Sequence, residues 1–325
     1  SFYFRKNGFR YRIKNDNEVS IAYLVTNEIK KILCSEYRGD IVIPSTVTTS
    51  TGITFQVTSI DDGAFSPRCG EYYDFISSII IPDNVNVTSA SNIYFIKNGV
   101  CYEVLNNNEV RVLNYHYTGD IIIPSTVTAG NTFTVKSIKY NAFSGATLSS
   151  IIVPDNVSIS SAGIKIEKDG VYYKVLNNNE VSVCGTESST KDLNIPNTVT
   201  AGNTFTVKSI ENNAFSGTTL SSITIPDNFD ISRAGIKILK DGVYYKVLNN
   251  NEVSVCDAES SLTEVTIPNS IAAGMTFSVI SVKSNAFSSC PKLTKVTCLS
   301  TTPPEAYSNS FVNYNGYLYI PCDNK

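Results

Sequence analysis

The chain has no tryptophan, one methionine (Met275) and one histidine (His116) in 325 residues, and each scarcity narrows what it can be. A single imidazole leaves no histidine-rich metal set, and no Cys-x-x-Cys or Cys/His spacing of the zinc-binding kind occurs. Charged residues make up only 17%, with a formal net charge of −3, so no basic field exists to draw nucleic acid or an anionic membrane. No run of roughly 18 apolar residues is present to span a bilayer. Gly-x-Ser-x-Gly, a P-loop and a strand-following Gly-x-Gly-x-x-Gly are all missing. His116 sits in Tyr115-His116-Tyr117 and reads as a solvated turn residue. The expectation is a protein that is not an enzyme, with no catalytic residue, no cofactor and no metal. A dispersed acid pair of the glycosidase kind is left open by composition, and nothing singles one out.

What the chain does have is itself, several times over. Residues 168–184 (KDGVYYKVLNNNEVSVC) recur letter for letter as 240–256, and residues 126–138 (TVTAGNTFTVKSI) recur as 198–210. Phe143, Phe215 and Phe287 are spaced by 72 residues, and Phe65 precedes Phe143 by a looser 78. Four modules follow, at about 2–92, 93–163, 164–235 and 236–306, with a C-terminal cap at 307–325. The first module departs most, with insertions around residues 20–38 and 67–75, as terminal units of stacked arrays often do. Nineteen tyrosines and a 42% hydrophobic share suit a β-rich chain with many turns.

Each module carries a short apolar strand ending in proline, as in Ile41-Val42-Ile43-Pro44, Ile79-Ile80-Ile81-Pro82, Ile121-Ile122-Ile123-Pro124 and Ile151-Ile152-Val153-Pro154. The series continues through Leu193-Asn194-Ile195-Pro196, Ile223-Thr224-Ile225-Pro226 and Val265-Thr266-Ile267-Pro268, then more loosely at residues 296–298 and 318–321. Proline lacks an N–H and cannot continue a central ladder, so each strand must stop where the chain turns. The prediction is nine short parallel rungs in one ladder, with Leu148-Ser-Ser-Ile151-Ile-Val153 and its counterparts matching the L-x-x-L-x-L core of a leucine-rich repeat. Between rungs, Asn141-Ala142-Phe143 and Asn213-Ala214-Phe215 suit tight helical turns whose phenylalanine fills space. Val171, Tyr173 and Val175 alternate along one face of a hairpin turned by Asn177-Asn178-Asn179, and Tyr11, Tyr102, Tyr173 and Tyr245 hold one register, which favours anchoring over ligand contact.

Residues 279–298, with Asn285-Ala286-Phe287-Ser288-Ser289-Cys290-Pro291-Lys292-Leu293, resemble the BspA-type leucine-rich repeat family of bacterial surface proteins. The Asp-Gly-Val-Tyr-Tyr hairpin and the terminal phrase from Thr302-Pro303-Pro304 to Ile320-Pro321 resemble segments interleaved with those repeats, so the likeness covers essentially the whole chain. Gly145 and Gly217 stand near the family's usual cysteine position, which Cys290 keeps as a small buried hydrophobe. The resemblance implies a β-rich solenoid: one leucine-rich-repeat superhelix over residues 1–325, with short parallel strands, short helical turns and inserted β-hairpins. It also implies an extracellular or bacterial cell-surface protein, its signal peptide removed before Ser1, that binds a host or bacterial surface protein. A glycan-binding module and a structural spacer are the alternatives.

Cys184 and Cys256 lie one module apart, about 9.6 Å along a stack, beyond the reach of about 7 Å between Cα atoms that a disulfide allows. Cys34 with Cys69 and Cys298 with Cys322 are the pairs left as candidates. If the flanking residues of a rung face inward, its middle residue faces out, which gives Val42, Ile80, Ile122 and Ile152 and then Asn194, Thr224, Thr266 and Thr297. The first four form the candidate binding surface, an apolar stripe on an exposed face that a partner, or the first module's insertions, would cover. Residues before each strand alternate, Asp40, Ser78, Asp120, Ser150, Asp192, Ser222, Glu264, which keeps acids off adjacent rungs and reads as relief of repulsion rather than a metal ladder.

Overall fold

The computed structural model describes residues 2–22, 37, 39–66, 76–307, 309–311 and 316–320, and the sequence alternation is visible directly in its strands. Along Val171–Val175 the side chains of Val171, Tyr173 and Val175 are buried and those of Tyr172 and Lys174 are not; Val243–Asn249 repeats the pattern. Most of the two insertions of the first module, together with Cys34, Cys69 and Cys322, lies outside the described residues, as does any cover the insertions provide. The strands fall into two compact units, one holding Ser1–Lys165 with Leu176–Asn178 and Ala201–Asn203, the other Ile166–Val175, Asn179–Thr200 and Thr204–Lys325.

In the first unit Tyr3–Lys6, Phe9–Ile13 and Glu18–Ala22 form an antiparallel meander, with Tyr11 opposite Ile21. Glu18–Ala22 then runs parallel to Thr54–Ile60, which folds back on Thr46–Thr48. The next repeat keeps this order with Tyr94–Lys97, Val100–Asn106, Glu109–Val112, Asn131–Ile138 and Thr126–Ala129. Rungs pair in parallel and continue the meander sheets, Gly39–Val42 with Ile76–Ile80 and Gly119–Ile122 with Thr147–Ile152, placing Ile41 opposite Ile79 and Ile121 opposite Ile151.

The second unit uses the same parts. Val171–Val175 pairs with Glu180–Thr186, whose Val181 lies opposite Val207 on the parallel strand Asn203–Ile210. Lys237–Lys240, Val243–Asn249 and Glu252–Ala258 form the following meander, extended by Met275–Val282 and Ser270–Ala273. Its rungs are Asp192–Asn194 with Ser222–Thr224, and Glu264–Ile267 with Lys295–Cys298 and Tyr317–Tyr319. The chain is thus a repeat β fold in both units.

Three expectations change. Among the described residues the rungs do not form one continuous ladder: they run in groups of two, with three at the last, and a hairpin tip meets the far side of each of three groups, Gly130 at Ile79 and Gly202 at Ile151 in the first unit, Gly274 at Ile223 in the second. Only glycine fits there, because a Cβ on Gly130 or Gly274 would stand 2.3 Å from the carbonyl oxygen of Ile79 or Ile223, and their φ angles are +83° and +76°. These tips belong to hairpins that the sequence reading passed over; Val135 and Ile138 end a strand that begins at Asn131. Nor is Asn-Ala-Phe helical. Among the described residues the one helical segment is a 3-10 turn at Ser89–Ser91. Asn141, Asn213 and Asn285 instead take φ of +53°, +60° and +61°, a left-handed conformation that a right-handed helix cannot pass through. Phe143 and Phe215 are fully buried behind these turns, and their N–H groups donate to Ala162 and Ala234.

Candidate binding surface

Parallel pairing puts the inward neighbours Ile41, Ile43, Ile79, Ile81, Ile121, Ile123, Ile151 and Val153 in the core, and pleating turns the residue between each pair of neighbours outward. Val42 is 60% exposed, Ile80 46%, Ile122 59% and Ile152 42%. Val42 stands opposite Ile80 and Ile122 opposite Ile152, so the structure brings these residues together as two apolar pairs. They are not one stripe, because the tip at Gly130, with its Thr128 and Thr132 hydroxyls 2.9 Å apart, borders the first pair. In the second unit the corresponding residues are polar, Asn194 opposite Thr224 and Thr266 opposite Thr297.

The alternating acids make a direct contact that the sequence reading missed. Ser78, Ser150 and Ser222 each donate a hydroxyl to Asp40, Asp120 and Asp192, at 2.6 Å in all three pairs. The fourth repeat substitutes an ion pair, Lys295 with Glu264 at 3.3 Å. Among the described residues no group of His, Cys, Asp or Glu is arranged to hold a metal ion. The asparagines of the hairpin turns also do more than turn the chain. Asn107, Asn178 and Asn250 each accept from one backbone N–H and donate to one backbone C=O, at Val87 and Val85, Ile159 and Val157, and Ile231 and Phe229. Their partners lie some twenty residues upstream, so only the fact that the triplet recurs could have pointed to them.

Tyr11, Tyr102, Tyr173 and Tyr245 are buried, and burial pushes the Tyr173 and Tyr245 hydroxyls up to about 12. Their faces offer nothing to a ligand. Burial, then the neighbouring Glu103, pushes the Cys101 thiol up to about 12 as well, which makes it inert at neutral pH. Cys256 is unbridged, and the Cys290 thiol donates to the Ala258 carbonyl at 3.5 Å. His116 is exposed, its ring 6.0 Å from that of Tyr115. Exposed tyrosines stand side by side at Tyr317 and Tyr319, with ring centroids 6.5 Å apart on the terminal rung. Among the described residues no helix is long and apolar enough to cross a membrane.

Comparison with known proteins agrees with this repeat geometry. The family profile described as "BspA type Leucine rich repeat region" matches in six copies, over residues 45–162 and 186–315. A search of curated proteins gives no significant match. Among solved structures, a leucine rich cell surface protein from Faecalibacterium prausnitzii A2-165 is 16% identical, with 93% of this chain and 96% of that chain covered and a TM-score of 0.29. The pneumococcal vaccine antigen PcpA is 14% identical, with 98% of this chain and 70% of that chain covered and a TM-score of 0.24. Neither superposition is close enough to carry an argument about fold or role.

Proposed function

The chain belongs to the BspA-type leucine-rich repeat family, and on that premise we propose that it is a non-catalytic recognition protein of the bacterial surface or the extracellular space, binding a surface protein of a host or another bacterium. The observation that carries this reading is the exposure of aliphatic side chains at Val42, Ile80, Ile122 and Ile152, positions where solvent alone would favour the threonines and asparagine found in the other unit. Paired aliphatic residues on a stiff sheet make a flat hydrophobic contact with little entropy to lose on binding. The recurrence of the same strand order within each unit supports a single solenoid over residues 1–325, a reading that small-angle scattering would test by the expected elongated particle.

The test is a pull-down against a panel of extracellular-matrix proteins with wild type and Ile122→Asp, beside a glycan array. Loss of one protein partner in the variant is the expected result, with a fall in affinity of tenfold or more from about 1.4 kcal/mol or more of lost contact and buried charge. Capture that is unchanged in Ile122→Asp would sink the reading. The exposed Tyr317 and Tyr319 pair favours the alternative of glycan stacking at the terminal rung, which the array addresses.

A further inference from the structure

On the face of each meander away from the registered tyrosine, the residue that follows it is set near a second fixed position. The backbone N–H groups of Asp61, Lys139, Glu211 and Lys283 donate to Ile21, Val112, Val183 and Val255 at 2.8, 2.9, 2.8 and 2.8 Å, so these four residues are structural equivalents. In the first and third repeats the two positions pair with each other, whereas in the second Glu103 pairs elsewhere and Lys139 makes no ion pair among the described residues. Arg12 pairs with Asp61 at 2.6 Å, Glu103 pairs with Arg111, and Lys174 pairs with Glu211 at 3.4 Å. Glu211 also accepts from Ser182 at 3.1 Å. The fourth repeat copies the hairpin of the third letter for letter, residues 240–256 repeating 168–184, but places Lys283 where Glu211 stands, facing Lys246.

Neither Lys246 nor Lys283 makes an ion pair among the described residues. Glu305, opposite Ser281 on the next strand, pairs with neither. Burial, and then the facing Lys246, holds the Lys283 ammonium below its usual range. Lys237 stands directly opposite Lys246 across the strand pair, which makes a third cation in the row.

An open cleft of about 700 Å³ meets this row at Lys237 and is lined also by Tyr244, Asp257, Glu259, Ser260 and Ser261. The Lys237 ammonium lies 5.7 Å from the Tyr244 ring centroid. The surface is therefore dipolar, cationic at the lysines and rich in hydrogen-bond acceptors in the cleft. We infer that Lys246 and Lys283 bind the carboxylate of an acidic sugar whose neutral hydroxyls occupy the adjoining cleft. The ligand carboxylate takes the place that Glu211 fills in the third repeat. Asp257 and Glu259 accept from sugar hydroxyls and repel a second anion, which disfavours an acidic peptide carrying a negative charge on every residue. This site is in the second unit and uses none of the outward rung residues, so its failure leaves the proposed protein contact standing.

Isothermal titration of the whole chain with a glucuronic-acid-terminated disaccharide, its neutral glucose counterpart and hexaglutamate tests the assignment. The expected result is that the acidic disaccharide binds about tenfold or more tighter than the neutral one, the size of a lost charge-assisted contact. Lys283→Glu is expected to erase that difference while retaining the melting temperature, since it installs the carboxylate that the third repeat already carries. Absence of any binding, equal binding of the two sugars, or a preference that survives Lys283→Glu would overturn the proposal. Competition by hexaglutamate at the same affinity as the acidic sugar would also overturn it, in favour of an acidic peptide site.

Discussion

In the first unit the outward side chains of the paired rungs are Val42, Ile80, Ile122 and Ile152; in the second they are Asn194, Thr224, Thr266 and Thr297. Their inward neighbours are alike, with Ile41, Ile79, Ile121 and Ile151 buried in the one and Leu193, Ile223, Val265 and Val296 in the other. Valine, isoleucine and threonine all branch at Cβ and all suit a strand, so the outward exchange leaves strand formation nearly untouched. The fold therefore constrains one face of each rung and leaves the other free to vary. That division yields tests in which an inward change costs both units equally and an outward change separates them.

The largest effect is expected at the turn phenylalanines. Phe143 in the first unit and Phe215 in the second are fully buried at equivalent positions. Replacing either by alanine removes a ring from a close-packed site and is expected to cost about 3–5 kcal/mol. With no tryptophan in the chain, urea unfolding is followed by circular dichroism or tyrosine fluorescence. Costs for Phe143→Ala and Phe215→Ala that differ by more than about 2 kcal/mol would break the equivalence of the two inward frames.

A smaller and equally matched effect is expected at the asparagine clamps. Asn178 ties Val157 and Ile159 in the first unit, and Asn250 ties Phe229 and Ile231 in the second, each through both ends of its amide. Alanine at either position leaves a backbone N–H and a C=O without their partners, at a cost of about 1–2 kcal/mol. Hydrogen exchange at Ile159 and Ile231 reads the loss locally, because each amide proton then opens to solvent. Protection unchanged at one site and lost at the other would show that the two clamps are not equivalent.

Sequence alone carried the rungs, the registered tyrosines and the packing role of the phenylalanines, since each depends on a local period or on a residue type whose burial dominates. The hairpin over residues 126–138 is less plainly marked than a rung: Thr132, Phe133, Thr134 and Val135 alternate, but no proline closes the strand and Ile138 sits three residues on from Val135. The interruption of the rung ladder was out of reach for a different reason. It depends on Gly130 meeting Ile79 some fifty residues away, and a glycine in a hairpin tip looks the same whether it caps a free turn or docks on a neighbouring strand. Polar contacts followed the same rule: the Asp40 and Ser78 pair was visible as an alternation, while its hydrogen bond needed the register. The Lys246 and Lys283 pair was invisible, since neither residue is remarkable until Lys174 and Glu211 are seen in contact.

The smallest effect on stability, and the sharpest on the comparison, is expected from exchanging outward residues between units. Ile122→Thr keeps the branched Cβ and removes apolar surface that water already reaches, and Thr224→Ile does the reverse. Each is expected to change stability by no more than about 0.5 kcal/mol in thermal melts. Their surface effects should be opposite: Ile122→Thr lowers binding of a hydrophobic dye and of the protein partner, and Thr224→Ile raises dye binding without creating partner affinity, because the second unit lacks an aliphatic residue opposite it at Asn194. A stability loss above about 1.5 kcal/mol for Ile122→Thr would mean that this side chain is packed rather than displayed. The aliphatic pairs would then belong to the frame, and the difference between the units would carry no recognition at all.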